Sequence, residues 1–281
     1  LPLVLSEHQD PRFPARIGTF DPHERLVAFQ GATRLHLLTD SFLDTLPAHL
    51  RARARVIPNT VPPTSNIADP GGNAKHAKVL LAVARLVERK NLRRLLHEFA
   101  KVAPKHPDWI LRIVGGGPLR EDLESLARQL DLGAQVSFTG EINDVYGALA
   151  KAQCFVLPSL FEGFPMSSLE AMAHGLPVIG YAACNGLNTQ VKHELNGLLA
   201  APALASDSLS RELDRVMSNA KLRRNMGTAS LERYRTLYSN EVVFDQWEAL
   251  FMEAADQPRH SRIPLEDRLE AALDRAVFGD F

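Results

Sequence analysis

The densest chemical signal in the sequence is the run Pro158-Ser159-Leu160-Phe161-Glu162-Gly163-Phe164-Pro165-Met166-Ser167-Ser168-Leu169-Glu170-Ala171-Met172-Ala173. Glu162 falls in a predicted loop behind an apolar strand, Cys154–Leu157. Gly163 permits an unusual turn, and Pro165 or Met166 opens a helix. The unpaired N–H groups of a first helical turn, reinforced by the helix dipole, attract anions such as phosphate. Glu170, about one turn further in, cannot bind phosphate because like charges repel. It can accept hydrogen bonds from two neighbouring hydroxyls, as on a ribose, and Glu162 can do the same for a sugar. The plainer alternative is a capped helix bearing two surface acids.

Three other strand ends carry candidates. Arg85 and Lys90 follow the apolar run Val79–Ala84, and two cations there could clamp a diphosphate or simply face solvent. Gly115-Gly116-Gly117-Pro118-Leu119 follows Trp109–Val114. These glycines would let a ligand approach the backbone, or only form a tight strand-to-helix turn. Arg120 breaks any G-x-G-x-x-G pattern, which disfavours a dinucleotide-dependent dehydrogenase. His8, after the short strand Leu1–Ser6, could donate to a sugar hydroxyl or manage a proton; otherwise it is a surface loop histidine.

Such residues need a frame that brings strand ends together. From Val79 onward, apolar strands alternate with helices of 3.6-residue period, as in Leu92, Leu95, Leu96, Phe99 and Val102 behind Asn91, read as a helix cap. A helix lined by Leu119, Leu123, Leu126, Ala127 and Leu130 is expected to stop at Gly133. Short loops between alternating strands and helices predict an α/β, doubly wound parallel sheet whose ligands sit at the carboxyl ends of the strands. Before it, Arg25–Ala32 and Phe42–Leu50 read as helices around a strand, Arg34–Leu38. The segment Val61–Asn73, rich in Pro, Gly and Asn, reads as a linker. Helices are expected over Leu204–Ser218, Leu222–Tyr238, Glu241–Ala255 and, amphipathic, Leu265–Phe278. The domain reading is 1–62, 63–240 and 241–281.

The composition excludes several classes. Across 281 residues, 32 Lys and Arg balance 33 Asp and Glu, which argues against bulk nucleic-acid binding. Cys154 and Cys184 form no metal or disulfide framework, and a reducing cytoplasm fits them best. No apolar run suits a membrane helix.

Taken as an ordered set, the motifs closely resemble the retaining GT-B glycosyltransferases of the large group 1 family. Glu162 through Glu170-Ala171-Met172-Ala173, then Gly175-Leu176-Pro177-Val178-Ile179, is similar to that family's Glu–seven residues–Glu motif. Ala84-Arg85-Leu86 with Lys90 resembles its diphosphate clamp, Gly115–Leu119 its Gly-rich loop, and Val136-Ser137-Phe138-Thr139-Gly140 the strand whose end contacts the base. Val56–Val61 resembles its interdomain connector and Asn196-Gly197-Leu198-Leu199 its closing turn.

The resemblance implies a Rossmann-like donor-binding domain preceded by the end of an acceptor-side domain, with roughly 100 earlier residues of that layout expected. It implies transfer of a hexosyl or N-acetylhexosaminyl group from a UDP- or GDP-sugar, with retention, to a glycan or lipid-linked acceptor at the cytoplasmic membrane surface, in polysaccharide synthesis. Arg85 and Lys90 would neutralise the leaving diphosphate, so neither a metal nor a further cofactor is expected. Amides near Phe164, Pro165, Met166 and Ser167 would hold its phosphate, and Glu170 the ribose. Glu162 and His8 would face the donor sugar as catalytic residues, with Gly115, Gly116, Gly117, Thr139 and Gly163 lining the nucleotide and sugar.

One departure is Thr189, standing where the family often has an acid in a Gly-Pro-x-Glu run. Arg51, Arg53 and Arg55 could meet acceptor phosphates, or form a solvated strand edge. A nucleotide-sugar epimerase or sugar-phosphate synthase on the same fold, and a non-catalytic nucleotide-sugar-binding module, are the competing readings.

Overall fold

The computed structural model describes residues 2–12, 21–72, 76–202 and 207–256. The expected Leu265–Phe278 helix lies outside them. The chain divides into two compact units: the amino-terminal residues through Pro58 with those from Val243 onward, and Asn59–Val242.

The first unit holds a three-stranded parallel sheet in the order β1 (Val4–Glu7), β2 (Arg34–Leu37) and β3 (Ala54–Val56). Asp21 caps the helix Pro22–Gln30 by accepting from the His23 amide. That helix is tied to β1 by Arg25, whose guanidinium grips both Glu7 oxygens at 2.6 Å. Instead of one helix over Phe42–Leu50 there are two short ones, Asp40–Leu43 and Ala48–Arg51, because Pro47 ends the first path and opens the second. In the helix Asn240–Ala255, Val243 and Leu250 join Ile57 in a small core, with Val4 and Trp247 against it. Arg34 and Arg55 both reach Glu253 on that helix. Arg51 donates to the Leu46 carbonyl and Arg53 to those of Gln30 and Ala32. The three alternating arginines therefore serve this unit's own frame.

The second unit is a six-stranded, wholly parallel sheet in the order β6 (Val136–Gly140), β5 (Trp109–Val114), β4 (Lys78–Val83), β7 (Cys154–Leu157), β8 (Val178–Tyr181), β9 (Gly197–Ala200). This is the doubly wound architecture expected from the alternating pattern. β4 and β7 are apolar throughout their centres because helices cover both faces. On one face Leu80, Ala82, Leu111 and Ile113 pack with Leu95, Phe99, Leu123 and Leu213. On the other, the helix Met166–Ala173 lies against β7, β8 and the helix Ala220–Leu237.

Two local expectations are corrected. The helix Arg120–Gln129 ends before Gly133, and Asp131 takes the left-handed turn at φ 55°. The Pro-rich segment behind Asn59 is not a free linker. Tyr234 donates to the Val61 carbonyl, and the buried Arg223 donates to those of Pro70 and Gly71. Arg223 stacks over Trp109 as well. This strap belongs to the second unit.

Candidate functional site at the strand crossover

Chain order runs outward from β4 to β5 and β6, then returns to β7 on β4's other side. In such sheets the usual ligand position lies at the carboxyl ends where the order reverses. The two loops that flank it carry Arg85 to Lys90 and Pro158 to Pro165.

These loops are sewn together by backbone. The Leu160 amide donates to the Arg89 carbonyl at 3.0 Å. Asn91 sits at the first position before the helix Leu92–Ala100 in a left-handed conformation, φ 56°. It does not cap that helix with its side chain, as expected; the side-chain amide donates to the Pro158 carbonyl at 3.2 Å. A residue read as a local cap is a cross-link between the two functional loops.

Glu162 and Lys90 meet there. They are 6% and 9% exposed, and the Lys90 ammonium hydrogen-bonds the Glu162 carboxylate. Arg89 lies 3.4 Å from the other carboxylate oxygen and is half-buried. Sequence reasoning missed Arg89; the only signal was its place in Glu88-Arg89-Lys90, beside the residue chosen. Arg85 is exposed and, among the described residues, makes no ion pair.

The glycine loop is shaped by the chain itself. Gly115 and Gly117 have φ of 131° and 153°, and a Cβ on them would lie 2.1 Å from the Ala84 carbonyl oxygen and 2.6 Å from that of Leu86. The Leu86 amide donates to the Gly116 carbonyl at 2.8 Å, so this loop props the one that carries Arg85. Thr139 is exposed at the end of β6 and spends its hydroxyl on carbonyls of Ile113 and Gly140.

The turn after Glu162 is held from several sides. The Gly186 amide donates to the Glu162 carbonyl, and a Cβ on Gly186 would lie 2.4 Å from the Gly163 oxygen. Asn59 donates to the Phe164 carbonyl, and the Phe164 ring meets Tyr238 edge-on. Gln190 and Ser168 both donate to the Pro165 carbonyl. The first helical bond runs from the Leu169 amide to Pro165, so the amides of Met166, Ser167 and Ser168 precede it without an intrahelical partner. Met166 is exposed, Ser167 and Gly163 half-buried, Phe164 and Pro165 buried. Asn59, Gly186 and Gln190 carried no sequence signal of this duty beyond the connector resemblance around Asn59. Thr189, at the family's acidic position, returns its hydroxyl to the Asn185 carbonyl within the helix Asn185–Gln190.

Glu170 is half-buried and pairs with no cation among the described residues. Burial pushes its carboxyl above the ordinary range. An unpaired, partly desolvated carboxylate beside a helix start has a strong demand for hydroxyl donors. Next to it, His174 donates back to the Glu170 carbonyl, and Tyr146 lies edge-on to His174 at 4.8 Å. His8 belongs to the first unit, exposed just after β1. Among the described residues no group of three or more His, Cys, Asp or Glu could hold a metal ion, and no helix is long and apolar enough to cross a membrane.

A six-stranded parallel sheet, with an acidic and a basic loop paired at its crossover, defines a doubly wound α/β protein. The family model for glycosyl transferases group 1 matches residues 64–233, and the chain belongs to that family. It is similar, at 30% identity over 95% of its length, to an exopolysaccharide phosphotransferase of Streptomyces coelicolor, of which it covers 29%. It is 32% identical to a lipopolysaccharide 1,6-galactosyltransferase of Salmonella typhimurium over 60% of this chain and 49% of that protein. The chain thus spans about a third to a half of the length of these curated relatives. In fold it matches Anabaena HepE crystallised with UDP, with a TM-score of 0.75 at 19% identity over 89% of this chain and 72% of that one.

Proposed function

We propose that this chain binds a nucleoside-diphosphate sugar in the crevice between the β4 and β7 loops and serves transfer of the sugar to a hydroxyl of a glycan or lipid-linked acceptor. The single observation that carries this is the buried Lys90–Glu162 pair at the crossover, with Arg89 against it. Its cation suits the diphosphate and its carboxylate the sugar hydroxyls. Support also comes from family membership, from the UDP bound to HepE and from the galactosyltransferase among the relatives.

In this proposal Arg85, Lys90 and the amides of Met166 and Ser167 take up the charge that grows on the departing diphosphate. Preorganised donors of this kind lower the barrier because they need no rearrangement as charge develops. Glu170 accepts from the ribose hydroxyls. Glu162 accepts from the donor sugar and fixes its orientation. The bond from the anomeric carbon to the phosphate oxygen breaks while the acceptor oxygen bonds the same carbon on the same face. The acceptor proton passes to the leaving phosphate oxygen, which gives retention without a covalent intermediate. For His8, on the first unit, the proposed part is a hydrogen bond with a sugar hydroxyl. Base contacts fall to the strand end at Thr139 and the Gly115–Gly117 loop, and neither a metal nor a further cofactor is assigned a part.

The test is nucleotide release from UDP- and GDP-sugars supplied with glycan acceptors. Release is expected from the unmodified protein and is expected to vanish when Lys90 and Glu162 are both changed to Ala. Turnover that survives the double change contradicts the site.

A further inference from the structure

The amino-terminal sheet aligns a hydroxyl and two imidazoles. Ser6 of β1 is the register partner of His36 in β2, so both side chains leave the same face of the sheet. His8 follows Ser6 by two positions. Ser6 Oγ lies 2.8 Å from His8 Nε2 and also hydrogen-bonds His36 Nδ1. His36 Nε2 lies 2.7 Å from the Ile57 carbonyl oxygen.

The protons can be placed by elimination. A carbonyl oxygen only accepts, so His36 Nε2 carries hydrogen. His36 is 1% exposed, with the Trp247 ring 4.3 Å from its own. Burial lowers its affinity for a second proton, so its Nδ1 is bare. A bare nitrogen only accepts, so the Ser6 hydroxyl donates to it. Serine has a single hydroxyl hydrogen, which is now used. Toward His8 the same oxygen can only accept, and His8 Nε2 is the donor. In the singly protonated ring Nδ1 is then the acceptor nitrogen of His8, and it hydrogen-bonds no other described residue.

We propose that Ser6 and His36 are positioning residues that hold His8 as its Nε2–H tautomer, leaving Nδ1 to accept a hydrogen bond from a sugar hydroxyl. The order of donors runs His8 to Ser6 to His36 to the Ile57 carbonyl. The buried end of the line dictates the state of the exposed end. Had His36 carried both protons, its Nδ1 would donate to Ser6, and the freed hydroxyl hydrogen would no longer require His8 Nε2 to be the donor. This inference deepens the part given to His8 above and rests on it for the identity of the hydroxyl.

Nitrogen-15 spectra of the histidine rings test it on the whole chain without ligand, at about pH 8.5, where ordinary imidazole is neutral. Expected are Nε2–H forms for both His8 and His36, with the His8 Nε2 proton exchanging about tenfold more slowly than in Ser6→Ala. Ser6→Thr, which keeps the hydroxyl, is expected to retain the slow exchange. His8 found as Nδ1–H, or as a mixture of tautomers, overturns the proposal. So does equal exchange in the unmodified protein and Ser6→Ala. Should Ser6→Ala fail to fold, the unmodified and Ser6→Thr spectra decide alone. No nucleotide sugar is present, so failure here is distinct from failure of donor binding, which would show in a protein whose His8 spectrum is as expected.

Discussion

The Lys90 ammonium and the Glu162 carboxylate, 72 positions apart in the chain, form a buried ion pair where the strand order of the sheet reverses. Each keeps the other neutralised, so the site carries a cation and an anion in little water. Removing one partner of such a pair leaves an uncompensated buried charge. Lys90→Met is therefore expected to lower unfolding free energy by about 3 kcal/mol, at the low end of the usual range because Arg89 remains near Glu162. Lys90→Met combined with Glu162→Gln is expected to recover much of the loss. Urea unfolding of the two single variants and the double variant measures this, and additive losses would refute the coupling.

Glu170 separates stability from binding. Its folded-state pKa lies above the ordinary 4.5 because burial disfavours the charge. Between those two values the folded protein holds a proton that the unfolded chain has released. The group's contribution to stability is thus fully present below the unfolded pKa and is lost as pH rises through the folded one. Glu170→Gln is expected to be as stable as the unmodified protein at pH 7, or more so. The same change is expected to weaken nucleotide binding about tenfold by removing the ionised acceptor for the ribose. Binding by the unmodified protein should weaken as pH falls through the raised pKa, and Glu170→Gln should lack that dependence. Titration calorimetry at several pH values checks both.

Gly115 and Gly117 are required by the neighbouring loop. Alanine at either would press on the Ala84 or Leu86 carbonyl and force a backbone angle that L-residues resist. Gly115→Ala is expected to cost about 3 kcal/mol from strain. Gly116→Ala is expected to cost less, because its new methyl meets only the movable end of the Glu141 side chain. Thermal unfolding should rank the two accordingly.

Both cysteines are buried, and burial pushes the Cys154 thiol up to about 12. Thiolate, not thiol, is the reacting species. Iodoacetamide at pH 8 is expected to modify neither in the folded protein and both in urea, as read by mass spectrometry.

How far the sequence carries depends on the range of the interaction. β4 and β5 were legible because burial on both faces imposes an unbroken apolar run. The helix Leu92–Ala100 was legible because one face packs and the period follows. Asn91 misled because a cap and a left-handed cross-link use the same residue type. The strap behind Asn59 looked like a linker because what fixes it, Arg223, lies 153 positions from Pro70. The motif residues were readable as a set, and Glu162 and Lys90 were each assigned a ligand. Their mutual ion pair, and the addition of Arg89, follow only from the crossover of strands that local patterns do not encode. Thr189 was recognised as a departure, and its hydroxyl is absorbed by its own helix.

The claim at the centre is that the β4–β7 crevice holds a nucleoside-diphosphate sugar through Lys90. Isothermal titration of UDP- and GDP-sugars into the unmodified protein and Lys90→Ala tests it most directly. A saturable one-to-one isotherm for at least one of these donors, weakened tenfold or more in Lys90→Ala, is the predicted result. No binding by the unmodified protein, or equal affinity in the two, would contradict it.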